Sequence, residues 1–258
     1  MRNKGDIFEN MDIPITNKAA PALDLNSNTS QPPSTINQQP NPQLNNYNQH
    51  NAVSNNTGIN SPRAAGVILA KGQRVSLNQL NPQLSMIEVG LGWDIPAIPG
   101  QVPYDLDAEA FLLDDNNRIV GNDWFVFYNQ PTSPDGSVRH SGDNRTGDQQ
   151  GDDETILVNL NIIDPRVKKV AFVVTINEAL QRGQNFGGIK NAYIRVIDKA
   201  SNNELVRFNL TEYYKEVVSM VIGELYFKNN EWRFNPVGMG TADDLLGLCR
   251  RYGVEVSG

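Results

Sequence analysis

The sequence is poor in the residues that build covalent or soft-metal chemistry. Its 258 residues include one cysteine, Cys249, and two histidines, His50 and His140. A single thiol excludes an intrachain disulfide framework, and so few imidazoles and thiolates exclude a zinc cluster of ordinary composition. Long apolar runs are missing too. No window approaches the roughly 20 residues that a membrane-spanning helix needs, and the opening MRNKGDIFENMD lacks the apolar centre of a secretory leader. We therefore expect a cytoplasmic chain without a transmembrane segment, whose membrane association, if any, is peripheral and through a partner. A basic patch is also lacking. With a formal charge of −7, direct phosphate neutralisation of a nucleic acid is not expected, and cations are the better match.

The negative charge is concentrated. Between Asp105 and Glu154 the chain carries 12 acidic residues against three arginines, whereas the remainder is slightly basic. Residues Leu25 to Pro62 are dominated by Asn, Gln, Ser, Thr and Pro with few large apolar side chains. Such a segment cannot bury enough surface to offset its ordering entropy, so residues 1–65 are expected to form a disordered extension. Its Asn/Gln content allows self-association in principle, although five prolines oppose β-stacking.

From Gly66 to Gly258 the texture is that of a single β-rich domain. In SMIEVGLGW, Ile87, Val89, Leu91 and Trp93 alternate as on a half-buried strand. AEAFLL, DWFVFY, TILVNL, KKVAFVVTI, NAYIRVI, ELVRFNL and ELYFKNNEWRF are further strand candidates, with Asn229 and Asn230 placed as a two-residue hairpin turn. Two short helices are expected, one near Glu178 to Arg182 and one after Gly240, where Thr241 can cap and Asp243 and Asp244 suit the positive N-terminus. The Gly238 to Gly240 run reads as a tight turn before that helix. Trp93, Trp124 and Trp232 read as core, and Arg182 to Phe186 as a structural loop. The pattern predicts an all-β-dominated β-sandwich of two mainly antiparallel sheets.

The acidic segments carry the chemistry. Asp105 and Asp107 are two apart, so a strand would present both carboxylates on one face. Asp143, Asn144, Asp148, Asp152, Asp153 and Glu154 lie on glycine-rich backbone that can bend to gather oxygens. Ca²⁺ takes about six to eight hard oxygen ligands in tolerant geometry, whereas Mg²⁺ demands a stricter octahedron. Neither window is an EF-hand: a loop from Asp105 puts Ala110 and Asn116 where Gly and Glu are needed, and one from Asp143 puts Asp148 at the glycine position. Spacing alone leaves calcium binding and a solvated acidic loop both open. A hydrolase built on Ser137 or Ser141 with His140 and Asp143 lacks an oxyanion hole in the sequence, and His140 is expected to brace the acidic motif instead.

Several pieces occur in a fixed order: VGLGWD (89–94), YDLDAEAFLL (104–113), DWFVFYNQPTSPDGSVRHSGDNRTG (123–147), GDDETI (151–156), FVVTI (172–176), GQNFGGIKNAYIRV (183–196) and GELY (223–226). Together they resemble the TerD family of tellurium-resistance and stress-response proteins over almost all of Gly66 to Val256. The resemblance implies a non-enzymatic calcium-binding β-sandwich holding two ions, with a protein partner in a stress-response complex. Asp105 and Asp107 match the family's DLDAS pair, and Asp143, Asn144, Asp152, Asp153 and Glu154 match its GDN and GDDE elements. Glu109 departs from the family's usual serine. Backbone carbonyls near Arg145 and Gly151 are further candidate ligands. Some members of the family bind cyclic nucleotides, so a small-ligand function is the alternative that the resemblance leaves open, beside self-assembly through the N-terminal arm.

Overall fold

The computed structural model describes residues 66–94, 102–141, 151–210, 212 and 214–255. The expectation of a disordered arm over 1–65, and the candidate ligands Asp143, Asn144 and Arg145, lie outside the described residues.

In chain order the strands are β1 (Val67–Ile68), β2 (Val75–Ser76), β3 (Met86–Asp94), β4 (Leu106–Leu113), β5 (Phe125–Val126) and β6 (Val138–His140). They continue with β7 (Glu154–Asn159), β8 (Lys169–Ile176), β9 (Lys190–Asp198), β10 (Asn203–Asn209), β11 (Ser219–Lys228) and β12 (Glu231–Thr241). Among the described residues three short helices join them: α1 (Leu77–Leu80), α2 (Ala179–Arg182) and α3 (Leu245–Tyr252). One six-stranded sheet has the order β1-β10-β9-β3-β7-β6 and the other β2-β12-β11-β8-β4-β5. Every pairing is antiparallel except β1 with β10.

The sheets face each other across one apolar core. Ile87, Val89, Leu91 and Trp93 enter it from β3, and Leu106, Ala108, Ala110 and Leu112 from β4. All three tryptophans belong to it. Gly223 on β11 marks a close approach, since a Cβ there would stand 2.7 Å from the Phe234 ring and 3.1 Å from Ile194 of the opposite sheet. The hairpin between β11 and β12 turns at Asn229 and Asn230, whose φ angles of 55° and 61° are the left-handed pair a two-residue turn requires.

Beyond Glu109 the outer face of the second sheet is also apolar, which explains why β8 and the second half of β4 read as continuous hydrophobic runs rather than alternating ones. Phe111, Leu113, Phe125, Ala171, Val173 and Val221 form a second core under Leu248, Cys249 and Tyr252 of α3. The start of α3 corrects one expectation. Its cap is Asp244, whose side chain accepts from the Gly247 N–H, while the Thr241 hydroxyl accepts from the Asp243 N–H and belongs to β12. Gly238 to Gly240 likewise lie inside β12 rather than in a turn before the helix, with Gly238 at φ 54°. Only Phe125 and Val126 of DWFVFY form a strand, because Asn122–Trp124 make a single 3-10 turn. The helix α1, capped by the Ser76 hydroxyl, is a third where two were expected.

Candidate metal centre

The alternation of β4 decides where its acids go. Leu106, Ala108 and Ala110 point into the sandwich, so Asp107 and Glu109 occupy the outer face, and Asp105 stands just before the strand. Asp105 is tied to Asn177, whose backbone N–H donates to its carbonyl at 2.8 Å and whose side-chain amide donates to its carboxylate at 3.0 Å. Glu109 is only 1% exposed. One of its oxygens accepts from the Thr175 hydroxyl at 2.7 Å, and the other, Oε2, is buried with no hydrogen-bond partner among the described residues. Burial holds this carboxyl well above its usual range; the Thr175 hydroxyl opposes the shift, and the charges of Asp107 and Glu154 add to it.

The GDDE motif splits three ways because successive residues at the start of β7 point in different directions. Glu154 faces inward and crosses to the second sheet, where its Oε2 accepts from the backbone N–H of Ala108 at 2.5 Å. His140 Nε2 lies 3.3 Å from the same oxygen, and the residue stands on strand β6 rather than in the loop expected. Glu154 Oε1 is buried and has no partner among the described residues. Asp153 turns to the end of β3 and accepts from the Trp93 N–H at 2.7 Å. Burial, opposed by that bond and reinforced by the charges of Asp152, Asp94 and Glu154, pushes its carboxyl up to about 6.

Asp152 has a different setting. Its two oxygens accept from Arg195 Nε at 2.7 Å and Nη2 at 2.8 Å, a bidentate pair, and Oδ1 also accepts from the Tyr193 hydroxyl at 2.8 Å. Arg195 continues to Glu204, which Arg207 also binds. The pair lies flat across β3, and this accounts for two glycines of VGLGWD. A Cβ on Gly90 would stand 2.1 Å from Asp152 Oδ2, and one on Gly92 2.4 Å from the Tyr193 ring. Sequence reasoning missed Arg195 and Tyr193; the signal available was two small residues on one face of an otherwise bulky strand. The Gly151 carbonyl, a candidate ligand, accepts from the Tyr193 hydroxyl at 2.8 Å.

A family model for the TerD domain matches residues 66–252. The chain belongs to the TerD family. It is 45% identical over 191 residues to the tellurium resistance protein TerD of Serratia marcescens, covering 74% of this chain and 99% of that protein. General stress protein 16U of Bacillus subtilis is 43% identical over 190 residues, covering 74% and 98% respectively. A solved structure described as a homologue of telluride resistance protein TerD from Streptomyces coelicolor shares the fold with a TM-score of 0.51 at 24% identity, covering 63% of this chain and 94% of that one. The TerD domain thus contains every described acidic residue of the candidate centre.

The TerD acidic elements, 46 residues apart in sequence, meet where Glu154 binds the backbone between Asp107 and Glu109. Their donors are oxygens, the chemistry a hard cation prefers. Among the described residues no three of His, Cys, Asp and Glu converge closely enough to hold a metal ion. Two observations nevertheless fit a cation: the unpartnered buried oxygens of Glu109 and Glu154, and an Asp153 carboxyl crowded by three other carboxylates.

Proposed function

We propose that this TerD-family protein is a calcium-binding stress-response module whose acidic loops, once neutralised, present a surface to a protein partner. The carrying observation is the junction at Ala108, where the carboxylate of one acidic motif is seated in the backbone of the other and leaves a buried oxygen unpaired. Asp153 and Glu154 from one motif and Asp105 and Asp107 from the other would hold the ion together with Asp143 and Asn144. Bound there, Ca²⁺ would supply the positive charge that the cluster lacks. The chain's own residues do the rest. His140 and the Ala108 N–H fix the orientation of Glu154, the Trp93 N–H fixes Asp153, and Asn177 fixes Asp105. Asp152 serves as an anchor through Arg195 and sets the position of the two residues after it.

The energetic consequence is linkage: a ligand that binds only the folded state at a hundredfold excess over its dissociation constant stabilises it by about 2.7 kcal/mol. The test is isothermal titration of EDTA-treated protein with Ca²⁺, with Mg²⁺ as control, alongside melting curves of both states. Saturable calcium binding with a raised melting temperature is expected; the absence of both would mean that the acids are a solvated surface. The partner half is tested by retrieval from a lysate with calcium-loaded and EDTA-treated protein, and equal retrieval would remove it.

A further inference from the structure

In the ladder between β4 and β8, Asp107 stands opposite Thr175 and Glu109 opposite Val173. Residues directly opposite share a face and lie about 5 Å apart at Cβ, so a side chain reaching straight across from Glu109 would meet Val173. The Glu109 carboxylate instead accepts from the Thr175 hydroxyl at 2.7 Å. Its side chain therefore runs back along the strand toward the start of β4. The carboxylate comes to rest beside Asp107, on the side where Asp105 and Asn177 meet.

The oxygen brought there has no use within the fold. Oε2 is buried and lacks a hydrogen-bond partner among the described residues, which offer neither a donor to the carboxylate nor an acceptor to the acid. Folded proteins rarely leave a buried polar atom unmatched without a reason. The other orphaned carboxylate oxygen is Glu154 Oε1. Its carboxylate is seated on the N–H of Ala108, the residue between Asp107 and Glu109. Two such oxygens, one from each acidic motif, call for a positive partner, and among the described residues no lysine or arginine pairs with either glutamate.

We propose that Glu109 is a direct ligand of the cation, donating Oε2 from the outer face of β4 beside Asp107. The inference rests on the metal half of the preceding reading and adds to it one more hard oxygen and one more negative charge. Thr175 is then a positioning residue: its hydroxyl holds one oxygen of Glu109 and so fixes which oxygen is offered to the ion.

The experiment uses the full chain, treated with EDTA and titrated with Ca²⁺ by calorimetry, as wild type and three variants. Glu109→Gln keeps an acceptor for Thr175, and Glu109→Met keeps the length of the side chain but offers no oxygen; metal-free melting curves check both folds. Glu178→Gln removes a carboxylate that lines the same cleft as Asp107 but is bonded to Arg182, and so reports the general effect of losing a nearby charge. Calcium affinity should fall about tenfold or more in both Glu109 variants and stay within about twofold in Glu178→Gln. Tb³⁺, a hard ion close in size to Ca²⁺, supplies a readout that a structural role would not move. Its luminescence lifetimes in H₂O and D₂O count the waters on the ion, and Glu109→Met should add about one where the carboxylate oxygen has gone. Unchanged calcium affinity in Glu109→Met, an equal fall in Glu178→Gln, or an unchanged water count would overturn the proposal while leaving calcium binding by the wild type in place. Absence of binding by the wild type would remove the metal reading and this ligand together, so the two failures are distinguishable.

Discussion

Asp152 and Asp153 are adjacent and chemically identical, yet the structure assigns them opposite energetic roles, and this can be measured in metal-free protein. The Asp152 and Arg195 side chains are 6% and 15% exposed, so the pair is largely shielded from water. Removing one partner of a buried pair costs about 3–5 kcal/mol. Asp152→Asn retains the Tyr193 contact and leaves Glu204 on Arg195, so the lower end or below applies, about 2–3 kcal/mol. For a domain of this size that is a fall in melting temperature of roughly 4–12 °C. Asp153→Asn should do the reverse. Its carboxyl titrates near 6 in the folded state, above an unfolded carboxyl near 4, so the folded protein holds a proton that the unfolded chain has released. Stability from this group is present below about pH 4 and is lost as pH rises through about 6. At pH 7.5 the amide removes that penalty, keeps an acceptor for Trp93, and should raise the melting temperature by a few degrees, with no gain at pH 4. The assay is a set of thermal melts in EDTA from pH 4 to 8. In Ca²⁺ the order of wild type and Asp153→Asn should invert. If metal-free Asp152→Asn melts like the wild type while losing calcium binding, the ion-pair assignment is wrong. If metal-free Asp153→Asn is destabilised at pH 7.5, the charge-crowding argument is wrong.

Other predictions follow from single contacts. Gly90→Ala places a Cβ on the Asp152 carboxylate and should cost about 1–3 kcal/mol; the Gly90→Ala, Asp152→Ala double variant should be less destabilised than the sum, read as non-additive melting shifts. Glu109→Gln removes a buried acid whose ionisation is disfavoured while leaving an acceptor for Thr175. Metal-free Glu109→Gln should therefore be at least as stable as wild type at pH 8 by chemical denaturation, and a marked loss would show that the charge itself is needed. The Cys249 thiol is buried in the second core and pushed up to about 11 by burial, with Glu109 and Asp244 adding. It should react with a thiol reagent at pH 8 only as fast as the protein unfolds, and rapid reaction in native buffer would contradict the packing of α3.

The strands were legible where burial is one-sided. Ile87, Val89, Leu91 and Trp93 alternate in the sequence because one face of β3 meets the core and the other does not. The Asn229–Asn230 turn was legible from residue type alone, since two adjacent left-handed residues leave few choices. DWFVFY and the Gly238 to Gly240 run were misread because local pattern cannot reveal a competing partner: the 3-10 turn at Asn122–Trp124 in one case, and the continuing ladder with β11 in the other. Within the candidate centre, the acid content could be read from the chain. The division of labour among Asp152, Asp153 and Glu154 could not, because it depends on Arg195, Trp93 and Ala108, which approach only through strand pairing and sheet packing.

The bond from Glu154 to Ala108 also bears on the border of the second sheet. Strand β5 pairs with β4 only at Ala110 and Phe111, so the Ala108 N–H lies beyond the end of its neighbour, at a border where a foreign strand could add. An unpaired border of this kind is a template for intermolecular β-pairing. Glu154 occupies the donor from the opposite sheet and brings a carboxylate to the place where an incoming strand would need a carbonyl. The same side chain that joins the two acidic motifs therefore also occupies a backbone donor at which a further strand could pair.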